Sequence, residues 1–319
     1  MIPPDGPTLG QASEEELLAQ IFPALPTRPE VIIGVGDDAA LLGVPTGAVL
    51  VTTDSMVLGR DWLDEWSSGQ DVGHKVVTQN LADIAAMGGT ATGVVVSLIA
   101  GRDTSIEWVR MLNGGIAQGC SQAEVAVLGG DLSSAPDGVR MVSITALGEL
   151  RDVRAVRRDG ARVGDQVAVS DALGRSDAGL RLLQQDRVAA GEQWVAFHRR
   201  PVARYAAGPQ AARAGATSMM DISDGLVRDG RRIASSSGVR IDLQASLLLD
   251  FVALLEPAVG ADAWECVLGG GEEHTLLATF PADVELPQGW RRVGVVRDGE
   301  GVTLDGREQR NGGWDHFSG

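Results

Sequence analysis

Short apolar runs that feed directly into glycine- and aspartate-rich turns recur along this chain, and that pattern limits the folds open to it. Val31-Ile32-Ile33 runs into Gly34-Val35-Gly36-Asp37-Asp38, and Val49–Thr53 ends at Asp54. Glu124–Leu128 ends in Gly129-Gly130-Asp131, and Thr217–Met220 opens into Asp221-Ile222-Ser223-Asp224-Gly225. Between such strands lie stretches of helical period, notably Asp71–Met87 through Val72, Val76, Leu81 and Ile84, stopped by Gly88-Gly89. Further strands are expected at 93–99, 140–150, 166–170, 239–243, 275–280 and 291–296, and helices near 105–118, 177–184 and 201–213. Ser13-Glu14-Glu15-Glu16 before Leu17, Leu18 and Ile21 reads as a capped helix start. The polar stretch Arg151–Asp165 separates two runs of alternating elements. The expected fold class is therefore α/β (α+β) in two domains, 1–150 and 151–319.

Charge narrows the partners. The chain carries 43 acidic residues against 27 lysines and arginines, a formal net charge of −16, which repels a phosphate backbone and argues against nucleic acid. No apolar run reaches the ~18–20 residues of a membrane span, and Met-Ile-Pro-Pro-Asp-Gly does not begin like a secretory signal. The two cysteines, Cys120 and Cys266, form no CxxC pair, and a reduced, cytoplasmic location is expected. Lys75 is the one lysine, and no GxxxxGK[ST] occurs, so a lysine-bearing phosphate loop is absent. The protein-kinase motifs and HExxH are absent too, and the 4 histidines are scattered.

Solubility accounts for most of the carboxylates. A subset sits where chemistry is possible: Asp37-Asp38, Asp54, Asp83, Asp131, and Asp221 with Asp224. Aspartate suits Mg²⁺, which prefers hard oxygen donors, and neighbouring glycines let a backbone approach phosphate. Gly34-Val35-Gly36-Asp37-Asp38-Ala39 matches GxGxxA, but two carboxylates at that turn would repel a dinucleotide's pyrophosphate without a metal. Asp83 lies inside an otherwise apolar helical pattern with Asn80 three residues earlier on the same face. The alternative is a half-exposed helix with a solvated face. Lys75, on the same helix, reads equally as a solvated or a phosphate-steering residue.

Taken in order, Gly-Val-Gly-Asp-Asp-Ala (34–39), Thr-Thr-Asp (52–54), Asn-Leu-Ala-Asp-Ile-Ala-Ala-Met-Gly (80–88), Gly-Gly-Asp (129–131), Asp-Ile-Ser-Asp-Gly-Leu (221–226) and Gly-Gly-Glu (270–272) resemble the thiamine-monophosphate kinases. That family belongs to the superfamily of aminoimidazole-ribotide synthetase, with its PurM-like architecture. Gly160-Ala161 with Gly164-Asp165, His198-Arg199-Arg200-Pro201 and Gly313-Trp314-Asp315-His316-Phe317 add to the likeness, which runs from about Gly34 to Phe317. The resemblance implies a homodimer, an N-terminal domain for ATP, Mg²⁺ and dimerisation, and a C-terminal domain that completes the active-site cleft. It implies that Asp38, Thr52, Thr53, Asp54, Asp83, Asp131, Asp221 and Asp224 hold several Mg²⁺ ions. Gly130, Asp131, Arg158 and Ser223 would meet ATP, while Glu272 and Trp314 would meet the thiamine part of the substrate.

The implied reaction passes a phosphoryl group from ATP to thiamine monophosphate. The acceptor is a phosphate already ionised at neutral pH, so no catalytic base is expected. Two departures fall on the acceptor side. Where the family has Gly-x-His-Phe, Gly59-Arg60-Asp61-Trp62 puts Asp61 in the place of the substrate-reaching histidine. The family's Gly-Gly-Glu-Asp-Tyr-Glu becomes Gly270-Gly271-Glu272-Glu273-His274-Thr275. A related ATP-dependent enzyme with another acceptor, or a nucleotide-binding paralogue without turnover, are the alternatives.

Overall fold

The computed structural model describes Thr8, residues 20–33 and residues 41–309. The expected helix start at Ser13, the Asp37-Asp38 turn and the tail with Trp314 lie outside those residues. The chain divides into two compact units, one of Met1–Ile84 with Ala91–Leu150, the other of Ala85–Thr90 with Arg151–Gly319.

The first unit holds β1 (Val31–Ile33), β2 (Leu41–Leu42), β3 (Leu50–Val57), most of α1 (Gly69–Ala86) and β4 (Thr90–Gly101), α2 (Ile106–Gln122), β5 (Ala126–Ala135) and β6 (Arg140–Glu149). Its four-stranded sheet has the order β3-β6-β4-β5. β3 and β6 are antiparallel from Leu50↔Gly148 to Val57↔Met141, whereas β4 and β5 are parallel and joined through α2. β3 does not stop at Asp54, nor β5 at Leu128. Both ladders continue, so the Gly129-Gly130-Asp131 segment is strand rather than turn. Ladder hydrogen bonds along a full-length partner outweigh the weak strand propensity of two glycines.

Glycine lets α1 and α2 meet backbone to backbone. A Cβ on Gly73 would lie 2.1 Å from Leu112 O, and one on Gly115 would lie 2.1 Å from Gln70 O. This approach buries α1 on nearly every face: Val72, Val76, Val77, Leu81 and Ala82 are buried, and so are His74, Lys75, Thr78 and Asn80. The solvated-face reading of α1, and with it a solvated Lys75, gives way to a core helix.

The second unit contains β7 (Gln166–Val169), α3 (Arg175–Gln184), α4 (Glu192–Arg199), α5 (Ala207–Arg213), β8 (Ser218–Asp221), α6 (Leu226–Ser237), β9 (Arg240–Leu243), α7 (Ala245–Val259), α8 (Ala263–Gly269), β10 (Leu276–Phe280), β11 (Arg291–Arg297), β12 (Gly301–Leu304) and β13 (Arg307–Glu308). Its seven-stranded sheet has the order β13-β12-β9-β11-β7-β10-β8, antiparallel at each documented pair except β12–β9. Strand alternation splits the core in two. Val167, Val169, Met220 and Leu277 pack with Leu226, Phe251, Leu255 and Val267 of the helices on one face. Ala168, Met219, Leu276, Ala278 and Phe280 face α5, Trp290 and the last turn of α1. Both faces are covered, which is why these strands read as continuous apolar runs. Helices α4, α7 and α8 were not expected, and the helix expected at 201–213 begins only at Ala207. The residues before it run as loop and turn, anchored where the Arg204 guanidinium donates to Ser170 O at 2.6 Å.

Gly73→Ala is expected to destabilise the protein by about 3 kcal/mol, because rigid backbone stands where the methyl must go. Gly114→Ala, on α2 with nothing within 4 Å of its Cβ, is the control. It should be neutral or stabilising by up to about 1 kcal/mol in the same urea unfolding measurement.

Candidate functional site

In the first unit the acidic motifs meet where α1 lies against β3. Thr52 Oγ1 donates to Asp83 Oδ2 at 2.7 Å. Asn80 is fully buried and works in both directions: its Oδ1 accepts from the Asp54 amide at 2.9 Å while its Nδ2 donates to Val76 O at 2.8 Å. Strand alternation puts Thr52 and Asp54 on the α1 side and turns Thr53 away. Thr53 Oγ1 instead donates to Ile144 O at 3.0 Å and accepts from Thr145 at 3.2 Å. Asp131 is exposed on β5, in register with Ser97, and accepts from Ser133 Oγ at 2.7 Å. Its neighbour Gly130 is glycine for a local reason: a Cβ there would lie 2.2 Å from Val96 O.

Asp61 has a structural task in its own turn. Its Oδ2 accepts from the Val57 amide at 2.7 Å, and the Asp61 amide donates to Val57 O at 2.9 Å. Next to it, buried Trp62 stacks on Trp108 with centroids 6.0 Å apart, and Arg140 covers Trp108 at 4.7 Å while pairing with Asp64.

In the second unit β8 delivers Asp221 to a loop held from beneath. Asp229, in the first turn of α6, is fully buried and accepts from the amides of Asp224 at 2.9 Å and Gly225 at 3.1 Å. Arg232 donates to Asp229 Oδ1 at 2.5 Å and also pairs with Asp224, whose Oδ2 lies 3.5 Å from Arg228 Nε. Burial, and then the Asp221 charge, push the Asp229 carboxyl up to about 7 against the pull of its amide donors and Arg232. Gly225 has φ 119°, and a Cβ there would lie 2.5 Å from Gly269 O, so no other residue suits the start of α6.

The segment 270–275 is laced to this loop. The amides of Glu272 and His274 donate to Ser223 O at 2.7 Å and Ile222 O at 2.9 Å, and the Ile222 amide donates to Thr275 O at 2.8 Å. Glu272 and His274 take φ of 55° and 54°, a region costly for residues with a Cβ, so the lacing must hold them there. His274 Nδ1 lies 3.3 Å from Asp221 Oδ2. Between them Glu273, fully buried, takes Arg175 Nε at 2.6 Å and the Ser176 amide at 3.2 Å. Burial raises the Glu273 carboxyl and Arg175 opposes the rise. Arg158 is exposed on a segment beside β8: the adjacent Arg157 O accepts from the Met219 amide at 3.2 Å, and Arg158 O accepts from Ser237 Oγ at 2.8 Å.

Thus Thr52, Asp54 and Asp83 come together in one unit, and Asp221, Ser223, Asp224 and Glu272 in the other. Asp38 and Trp314 lie outside the described residues. Among the described residues no three or more His, Cys, Asp or Glu side chains form a ready metal cage, and no helix is long and apolar enough to cross a membrane. Both cysteines are buried, and burial pushes the Cys120 thiol up to about 12 and raises Cys266 as well, so neither is a ready nucleophile.

Residues 36–150 match the family model described as AIR synthase related protein, N-terminal domain. The chain is 39% identical over 321 residues to a thiamine-monophosphate kinase of Mycobacterium tuberculosis, covering 98% of this chain and 94% of that one. The chain belongs to the thiamine-monophosphate kinase family. The crystal structure of such a kinase from Stenotrophomonas maltophilia K279a superposes with TM-score 0.81 at 31% identity, over 93% of this chain and 98% of that one. AaThiL, solved in complex with AMPPCP and TMP, gives 0.78 at 33% identity over 89% and 92%. The PurM-like α/β fold expected of the family is therefore the fold of this chain.

Three residues of the site escaped the sequence reading: Asp229, Arg232 and Arg175. Only Asp229 had a local signal, as an acidic residue in the first turn after a Gly start. Because the folded Asp229 value lies above that of an unfolded aspartate, the native protein binds a proton that the unfolded chain releases between about 4 and 7. That contribution is complete at low pH and is lost as pH rises through about 7. Between pH 5.5 and 8.5, urea unfolding of the metal-free wild type should therefore lose stability more steeply than Asp229→Asn, which cannot titrate. Parallel pH profiles would show that the carboxyl is not raised.

Proposed function

We propose that this chain transfers the γ-phosphoryl group of ATP to the phosphate of thiamine monophosphate, giving thiamine diphosphate and ADP. The near-full-length 39% identity to a thiamine-monophosphate kinase carries the reading. An oxygen of the acceptor phosphate attacks the γ-phosphorus, the bond from that phosphorus to the bridging oxygen of ADP breaks, and no proton has to be removed first. The chain's own work is to hold two polyanions in line. Arg158 and Ser223 meet ATP, with Gly130 and Asp131; Glu272, Asp61 and Trp314 serve the thiamine side.

The donors at the α1–β3 contact suit Mg²⁺, since Thr52, Asp54 and Asp83 offer only hard oxygen there. Those residues with Asp38 and Asp131, and Asp221 and Asp224 in the second unit, would hold Mg²⁺; the Thr53 hydroxyl, turned to the other face of β3 and engaged with Ile144 O, is not among them. Bound there, the ion offsets the charge that keeps two phosphates apart. A ready cage of three side chains is not required, because Mg²⁺ usually takes one or two carboxylates and completes its shell with phosphate and water. The working form is a homodimer built on the sheet face turned away from α1, where Val51 and Val95 are 59% and 40% exposed.

Purified protein with Mg–ATP and thiamine monophosphate is expected to yield thiamine diphosphate, read by chromatography of its fluorescent oxidation product. No diphosphate at any pH would refute the assignment. Asp83→Asn should lower turnover at least about 100-fold with an unchanged melting temperature, and Thr52→Val should cost about 10–100-fold through the orientation of Asp83. Near-normal turnover of Asp83→Asn would remove that residue from the machinery.

A further inference from the structure

The His198-Arg199-Arg200-Pro201 motif has no part in the reaction as described, yet it ends α4 beside the acceptor-side loop. His198 is buried, and its Nδ1 lies 3.0 Å from Ser176 Oγ and 3.5 Å from Glu272 Oε2. A carboxylate has no proton to give, while a serine hydroxyl can accept one. With its proton on Nδ1 the imidazole donates to Ser176 Oγ and turns the same N–H edge toward the Glu272 carboxylate, which cannot donate in return. The preceding residue, Phe197, lies under the Arg175 guanidinium at 4.0 Å, and Arg175 holds buried Glu273. The first residues of α3 and the last of α4 thus grip Glu272 by its side chain and Glu273 by its carboxylate.

We infer that His198 is a positioning residue for the thiamine acceptor: it fixes the carboxylate of Glu272, while the Arg175–Glu273 pair pins the strained backbone that carries it. This rests on the reading that Glu272 meets the thiamine part of thiamine monophosphate. The nucleotide side is held by other bonds. Ser223 is tied to Glu272 through the backbone amide, which a change at His198 does not touch. Loss of the imidazole should therefore weaken the acceptor and spare ATP.

Steady-state kinetics and calorimetric binding of each substrate alone, on wild type, His198→Leu, His198→Asn and Ser176→Ala, test this. The asparagine amide nitrogen can stand where Nδ1 stood. His198→Leu should raise the KM and Kd for thiamine monophosphate about 10-fold, leaving the KM for ATP, the Kd for ATP and the melting temperature near wild type. His198→Asn should return the acceptor values to within about 3-fold of wild type, and Ser176→Ala should raise them about 3-fold. A parallel rise for both substrates, or no recovery in a folded His198→Asn, would overturn the inference. Should His198→Leu not fold, an unchanged acceptor KM in Ser176→Ala would overturn it instead. Wild type that makes no thiamine diphosphate would refute the assigned reaction rather than the role of His198.

Discussion

Carboxylates held close together and away from water must each be given donors, and that requirement shapes both units of this protein. Asp229 is the clearest case. It is fully buried, and two backbone amides and the Arg232 guanidinium converge on it. Through those amides it fixes the turn at Asp224-Gly225. The same turn offers Ser223 O and Ile222 O to the 270–275 segment, which is bent through two positive-φ residues. A single buried carboxyl thereby sets the backbone of two loops, on which Ser223 and Glu272 are only half-buried. The low local dielectric makes each of these bonds stronger, and the loss of any one more costly.

In the first unit the equivalent constraint is steric. Asn80 and Asp83 reach β3 only because α1 is drawn into the core, and α1 is drawn in because Gly73 and Gly115 let two helix backbones touch. Asn80 then ties the Asp54 amide to the helix while Thr52 orients Asp83. The Asp83 carboxylate thus has a hydroxyl donor within the fold, which lowers the cost of holding it there. The turn at Asp61 follows the same rule in miniature: its carboxylate takes the Val57 amide. The aspartate that stands in the family's histidine position is thus held to its own backbone through one carboxylate oxygen, which fixes where its charge sits.

Legibility differed by the range of the interaction. Strands with apolar runs and helices with clear period were read closely: α1 was expected at 71–87 and spans Gly69–Ala86, and β9 was expected at 239–243 and spans Arg240–Leu243. The ends of β3 and β5 were misplaced because glycine and aspartate signal a turn locally, while a paired neighbour extends the ladder regardless. Helix α7 was missed; its mean character is so apolar that periodicity is hard to see, and Pro257 lies within it. Among site residues, the motif aspartates were visible because glycine and strand ends frame them. Arg175 was not, because its partnership with Glu273 spans 98 positions and nothing beside Arg175 betrays it.

By itself, the order of short motifs determined the family and the α/β class and marked the aspartates suited to a hard cation, since these follow from local backbone demands and from donor chemistry. Tertiary structure alone decided which of those residues stand together. It turned Thr53 away from Asp83 by the two-residue period of a strand and engaged Asp61 with its own turn. It also buried Lys75 in a core helix and set His198 beside Glu272. Those outcomes depend on where remote segments come to rest, and a carboxylate's role depends on which donors arrive there with it.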